Sequence, residues 1–168
     1  MKIKLCLWVF VLVVLCYSCT ITKQEKSLES IGKTIVNTIE YTETISTGNE
    51  DNIFAVVSNL TLKLSEKFSD GSKIMILSVY SSNYIISGQI YDGILITLFE
   101  KNIFEIYDFR AIAHLNPEKY NYNSFYNKVE NNDIISISND HDINIVIIGE
   151  VTGTGSDETF IIKAFFVE

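Results

Sequence analysis

The chain has 168 residues, of which 21 are acidic and 13 are basic, so its net charge is −8 at neutral pH. This length suits one domain with a sizeable hydrophobic core. An acidic surface repels nucleic acid and anionic lipid head groups, and no two basic residues are adjacent in the sequence to reverse that locally. We therefore expect no nucleic-acid partner.

The first 19 residues have the composition of an export signal. Two lysines precede an apolar run from Leu5 to Tyr17, and the small residue Ser18 precedes Cys19. A helix of 13 residues is about 20 Å long, short of the roughly 30 Å core of a bilayer. The pattern predicts a bacterial lipoprotein signal over 1–18 and a palmitate-bearing lipid on Cys19, so that the protein lies outside the cytoplasmic membrane and is tethered to lipid. An uncleaved membrane anchor is the alternative.

Cysteine usage excludes some chemistry in the rest of the chain. All three cysteines, Cys6, Cys16 and Cys19, lie in or directly after the signal. The mature domain therefore has no disulfide and no thiol nucleophile, and packing has to hold the fold together. Loss of Lys2 and Lys4 with the signal brings the net charge close to −10.

Residues 19–50 are polar and predict a lipid-anchored linker. Thr42–Asp51 has no apolar period, which is typical of a spacer that holds a domain away from a membrane. Four apolar side chains recur at helical spacing and favour a thin amphipathic helix in the preceding part: Leu28, Ile31, Ile35 and Ile39.

The globular domain is predicted over 51–168, beginning at the N-cap pair Asp51-Asn52. Its first half contains a helix, a strand, a second helix and a second strand: Ile53–Phe68, Lys73–Tyr80, Tyr84–Lys101 and Ile103–Phe109. The first strand is a continuous apolar run, as expected of a strand buried on both faces. A strand, a helix and a strand in this order predict a βαβ unit with parallel strands.

The second half is less regular. It contains a short helix broken at Asn116-Pro117, another short helix capped by Asp133, and strands at Ile143–Val151 and Phe160–Val167. The loop between these strands is rich in Gly, Ser and Asp and indicates a hairpin. The element order predicts an α/β fold bordering on α+β, with a mixed four-stranded sheet, a βαβ unit, a C-terminal β-hairpin and helices packed on the sheet.

Two segments of this domain resemble a known family. The first half ends in IFEIYDFR, and the second half contains DIISISNDHDINIVIIGEVTGTG. Both resemble the CsgG/LpoB-like family of bacterial envelope lipoproteins, where Arg110 matches the arginine after the second strand and Gly149 the glycine that ends a later strand. Over roughly 51–168, the resemblance implies a periplasmic domain anchored to the outer membrane. It also implies a regulator or activator of peptidoglycan synthesis that binds a penicillin-binding protein. It equally implies a subunit of an envelope assembly, which leaves self-association open.

Titratable side chains cluster at two places. Asp140-His141-Asp142, with Asp133 nearby, is the densest group, but adjacent residues rarely point toward one ion, so a solvated turn explains it better than a metal site. Asp108, Arg110 and His114 fall around the end of the second strand. An ion pair between the first two explains them without catalysis. We predict no enzyme, cofactor or metal, and keep an envelope small-ligand binder or enzyme using these three residues as the alternative.

Four aromatic side chains share one polar, asparagine-rich loop: Tyr120, Tyr122, Phe125 and Tyr126. Tyrosine combines a large contact area with a polar tip, which suits protein recognition. Two hypotheses stay open, namely that the rings bind the protein partner or that the loop folds back and the rings complete the core. The first predicts that alanine at Tyr122 and Tyr126 weakens partner binding and leaves thermal stability nearly unchanged. A surface-exposed adhesin or antigen is a third functional option.

Overall fold

The computed structural model describes four stretches of the chain: 32–46, 48–120, 128–153 and 157–168. Within them, Lys33–Glu168 forms one compact unit. The predicted signal over 1–18 and the lipidation of Cys19 lie outside the described residues and stay predictions. No helix in the described stretches is both long enough and apolar enough to cross a bilayer.

The unit combines one mixed sheet with helices on both of its faces, as the α/β prediction expected. The described elements follow one another as β1 Ile35–Ser46, α1 Glu50–Ser65, β2 Lys73–Tyr80, α2 Tyr84–Lys101, β3 Glu105–Asp108, α3 Phe109–Leu115, α4 Asn131–His141, β4 Ile145–Thr152 and β5 Asp157–Val167. The strand order is β1-β5-β4-β2-β3. The predicted βαβ unit is confirmed by parallel β2 and β3, and the predicted hairpin by antiparallel β4 and β5.

The prediction of a linker over 19–50 is wrong from Ile35 to Ser46, which form an edge strand of 12 residues. The domain therefore begins near Lys33 rather than at residue 51, and the sheet has five strands rather than four. Ile39, Tyr41 and Ile45 face the core, while the side chains between them face solvent. A spacing of four residues, which suggested a helix, also places two side chains on the same face of a strand.

Helix termini differ from prediction by a few residues. Asn49 caps α1 by accepting a hydrogen bond from the backbone of Asn52 at 3.2 Å, so the helix starts before the predicted pair Asp51-Asn52. In α4 the N-cap is Glu130, and Asp133 closes a capping box from the third helical position. Asp133 still stabilises the start of the helix, but its carboxylate accepts from the backbone of Glu130 at 3.1 Å instead of capping as predicted.

Two hydrophobic cores lie on opposite faces of the sheet. The first core is enclosed by α1 and α2, and the second is enclosed by α3 and α4. In β2, Ile74 and Ile76 belong to the first core, whereas Met75 and Leu77 belong to the second. Burial on both sides explains why this strand has no polar alternation.

Two glycines permit close packing in the first core. A Cβ at Gly93 would lie 3.0 Å from Cγ1 of Val57, so α2 needs this glycine to approach α1. Gly149 is in the middle of β4 rather than at its end, the position that the family resemblance implied. A Cβ there would lie 3.0 Å from Val79 and 3.2 Å from Phe160.

The sheet has two distinct ends. The chain enters beside the first residues of β4, where the ammonium of Lys33 donates to the carbonyl of Ile143 at 2.8 Å and its backbone N–H donates to Asn139 at 3.0 Å. We call this the entry end. From there β1 runs for 12 residues, roughly 40 Å, to the far end, where β2 and β4 also terminate.

Candidate functional site

An ion-pair network lies at the C-terminal end of β3, which is level with the middle of β2. The carboxylate of Asp108 caps α3 by accepting from the backbone N–H of Arg110 at 2.9 Å. The Arg110 guanidinium lies 2.7 Å from Asp92, 3.5 Å from Asp108 and 3.8 Å from the ring centroid of Tyr91. Burial disfavours the charge of Arg110, but the two carboxylates outweigh that effect and raise its pKa. Asp108 and Arg110 therefore form the ion pair that the sequence suggested.

Tyr91 ties this network to the sheet. Its hydroxyl lies 2.8 Å from Oδ1 of Asp108 and 2.9 Å from the carbonyl oxygen of Ile76, so its single proton can be donated to either acceptor. Burial, and then the charge of Asp108, raises the pKa of Tyr91. This tyrosine therefore stays protonated and acts as a hydrogen-bond donor beside the middle of β2.

His114 does not join Asp108 and Arg110. It is exposed on the last turn of α3, and in the described residues it shares no hydrogen bond or ion pair with either of them. Arg110 is instead held between Asp92 and Asp108, with its cation over Tyr91. The geometry brings together two of the three residues of the alternative ligand or enzyme site.

In the cluster Asp140-His141-Asp142, the first two side chains both contact the hydroxyl of Tyr120, whereas the third has other partners. Asp140 accepts from Lys119 at 3.0 Å, which lowers the pKa of Asp140, and Nε2 of His141 lies 2.9 Å from the hydroxyl of Tyr120. Asp142 binds two other lysines at the entry end. Across the described stretches, no group of three or more His, Cys, Asp or Glu side chains is arranged to hold a metal ion.

Of the four aromatic candidates, the structure describes only Tyr120. Its ring packs edge-on against Phe109 with centroids 5.2 Å apart, and its hydroxyl contacts Asp140 at 3.1 Å. Tyr120 thus borders the second core, as the folded-back hypothesis expects for this residue. Tyr122, Phe125 and Tyr126 lie outside the described residues, and their predicted role stays a prediction.

A β-bulge in β2 directs polar side chains onto the face of the sheet that carries the second core. Ile76 pairs with Ile147 and Ser78 pairs with Ile148, so Leu77 is the extra residue. Because of this insertion, Leu77 and Ser78 both lie on that face. Ser78 is buried, and its hydroxyl has no hydrogen-bond partner within the described part of the chain.

Beyond the area covered by α3 and α4, this face forms an open depression of about 300 Å³ that we call the sheet groove. It is formed by side chains of four strands: Thr38 and Glu40, Ser78 and Tyr80, Ile148 and Glu150, Lys163 and Phe165. The segment 128–131, which leads into α4, forms one wall. The groove thus combines an apolar floor with a polar and charged rim, which suits a segment of another protein.

One ion pair crosses the groove. The ammonium of Lys163 lies 3.0 Å from the carboxylate of Glu40, and the two residues are directly opposite in the β1–β5 pairing. Both side chains are partly exposed, so the pair is weak enough to exchange for contacts with a partner. Lys128 and Glu150 add one further charge of each sign at the rim.

The groove is not predicted from the sequence, for two reasons. Thr38 and Glu40 were assigned to a linker, although Thr and Glu alternate with Ile and Tyr in that stretch as they do in a strand with one wet face. The bulge has no sequence signature here, since it lies within a continuous apolar run. Ser78, the one polar residue between Ile74 and Val79, was the available signal.

No family model, no curated protein and no solved structure matches this chain.

Proposed function

We propose that this chain is a lipid-anchored protein of the bacterial cell envelope that acts by binding another protein rather than by catalysis. The observation that carries the proposal is the sheet groove, an open amphipathic surface on the face of the sheet that carries the second core. The lipoprotein signal and Cys19 supply the anchor, and the groove supplies the contact.

The position of the groove suits this role. Its residues lie around the middle of the sheet, from Thr38 and Phe165, which are level with Val146 of β4, to Tyr80, which is level with Glu150. The chain enters the domain at the entry end, beside Ile143, which does not line the groove. A tether attached at the entry end leaves the groove accessible to a partner located beyond the membrane surface.

The resemblance to the CsgG/LpoB-like family narrows the choice of partner. It favours a penicillin-binding protein, with this chain as a regulator or activator of peptidoglycan synthesis. A role as a subunit of an envelope assembly is the second form of the same proposal. We expect the outer membrane as the site of anchoring and the periplasm as the location of the domain.

The lipid anchor is tested by metabolic labelling with a palmitate analogue in cells that make the full chain. The wild type is expected to be labelled and membrane-bound, and Cys19→Ser is expected to lose both properties. Cys6→Ser, which changes a cysteine inside the signal, is the matched control and should retain the label. Label that persists on Cys19→Ser would exclude this cysteine as the lipid site.

The groove is tested by photo-crosslinking in living cells. A photoreactive amino acid is placed at Thr38 or Tyr80 in the groove and, as a control, at Glu66, an exposed residue just after α1. Adducts from the two groove positions, identified by mass spectrometry, should contain a partner that the control position does not capture. A peptidoglycan synthase would support the activator role, and self-adducts alone would favour an assembly subunit. Equal capture at all three positions would argue against the groove.

A further inference from the structure

The outer surface of α1 and α2 carries most of the exposed apolar side chains. In the described residues, ten large hydrophobic side chains are at least 39 % exposed. Six of these ten belong to the two helices: Phe54, Leu62, Tyr84, Ile85, Ile96 and Phe99. Single exposed apolar residues are ordinary, but a concentration on one layer marks an interaction surface.

These side chains form a continuous surface because the two helices run side by side in the same direction. Glu50 accepts from Gln89 at 2.9 Å and Ser58 lies 3.1 Å from Thr97, so each residue of α1 lies level with the residue 39 positions later. Phe54 is level with Gly93, where its ring reaches within 3.7 Å of the position of a Cβ. The ring of Phe54 therefore covers the seam between the helices.

On α2 the exposed apolar residues fall in one stripe. Ile85 and Ile96 are separated by 11 residues, about three helical turns, and Phe99 follows one turn later. The stripe points away from the first core, since Ile90, Ile94 and Leu98 on the other side of the helix are buried.

The same surface has almost no charge. α1 has no charged residue from Asn52 to Leu62, and from Tyr84 to Phe99 α2 has only Asp92. The carboxylate of Asp92 is neutralised by Arg110 at 2.7 Å. Because the chain has a net charge of −8, two copies repel each other over most of their surfaces. The outer surface of α1 and α2 lacks unpaired carboxylates over these stretches, so two copies can approach closely there.

We infer that this surface, which we call the helical face and define by Phe54, Leu62, Ile85, Ile96 and Phe99, is the interface through which two copies of the chain pair. A two-fold dimer uses the same patch on both copies, as an uncharged apolar patch allows. The orientation rests on the proposed lipid anchor. Two copies anchored in one membrane both have their entry ends toward that membrane. The two-fold axis that relates them is therefore perpendicular to the membrane and runs along the strands. Both sheet grooves then face outward and stay free.

The number of copies is measured by native mass spectrometry of the full lipidated chain in detergent. Wild type is expected to contain two copies. Ile96→Glu and Phe99→Glu are expected to weaken pairing at least about tenfold, because each places a charge in an apolar contact. Thr42→Glu, on the exposed side of β1, is the matched control and should still pair. Unchanged thermal unfolding of the three variants would show that the fold is intact.

A second measurement uses the cysteine-free domain. Cysteine placed singly at Phe54, Ile85, Ile96 and Phe99 should form a disulfide-linked dimer in the oxidising periplasm at the position nearest the two-fold axis, and Thr42→Cys should not. A monomeric wild type, or pairing that survives both glutamate variants, would overturn the inference. If the wild type is monomeric and binds lipid vesicles, and the glutamate variants do not bind them, the helical face contacts lipid. That result would also overturn the dimer. If the wild type is monomeric and still gives groove adducts, the dimer alone is overturned and the proposed function stands. If the palmitate label is lost, only the anchor and the orientation derived from it are overturned.

Discussion

At the scale of single residues, Asp142 holds the entry end together. Its carboxylate lies 2.8 Å from the ammonium of Lys73 and 3.0 Å from that of Lys33. The hydrogen bonds from Lys73 and then Lys33 lower the pKa of Asp142 to about 2. The sequence suggested a solvated turn at this position, but not these partners, because both lysines are at least 69 residues away along the chain.

The pKa of Asp142 makes a pH-dependent prediction. An unfolded aspartate titrates near 3.9, as a rough reference value, so the stabilisation from Asp142 is fully present above about pH 4 and is lost as the pH falls through 2. Asp142→Asn keeps a side chain that tolerates the left-handed backbone at φ 53. Wild type should have the higher thermal midpoint at pH 6, and the difference should shrink toward pH 2. A difference independent of pH would show that the carboxylate charge does not contribute.

At the scale of elements, sequence patterns predicted the central elements well. The bounds of β2 and α2 agree with Lys73–Tyr80 and Tyr84 to about Lys101, since a run buried on both faces and an asparagine cap are strong local signals. β1 was missed because its apolar residues also fit a helical spacing and because Glu43 interrupts the alternation. Edge strands bury one side chain in two at most, so their sequences resemble those of polar linkers.

Ile45 distinguishes a strand from a linker. It is fully buried in the first core, so Ile45→Ala should lower the free energy of unfolding by about 2–5 kcal/mol. The neighbouring Thr44→Ala changes an exposed side chain of the same strand and should stay within about 0.5 kcal/mol. Both values come from urea denaturation. If neither substitution changes the free energy of unfolding, the prediction of a linker over this segment would be restored.

At the scale of the whole molecule, the two faces of the sheet are covered unequally. The long helices α1 and α2 cover one face, whereas α3 has 7 residues and α4 has 11. The sequence predicted helices on a mixed sheet, but the strand order and the open part of the second face depend on contacts between distant segments. The sheet groove is therefore a property of topology, which local patterns do not encode.

This asymmetry predicts unequal protection of backbone amides. β2 and β4 are central strands buried on both faces, while β3 is an edge strand of 4 residues. In hydrogen-exchange mass spectrometry, peptides from β2 and β4 should exchange at least about tenfold more slowly than peptides from β3 and α3. Equal protection of the amides of β3 and β2 would contradict the prediction that the edge strand β3 is the less stable of the two.

The strand β1 also shortens the tether between the proposed anchor and the domain. A free segment over 20–50 would span at most about 110 Å when fully extended, whereas 20–32 spans at most about 45 Å. Under the proposed anchor, the ordering of residues 33–50, which include β1, reduces the volume that the entry end can search by roughly fifteenfold. The domain is thereby confined to a thin layer near its membrane, and its partner has to come within that layer to be bound.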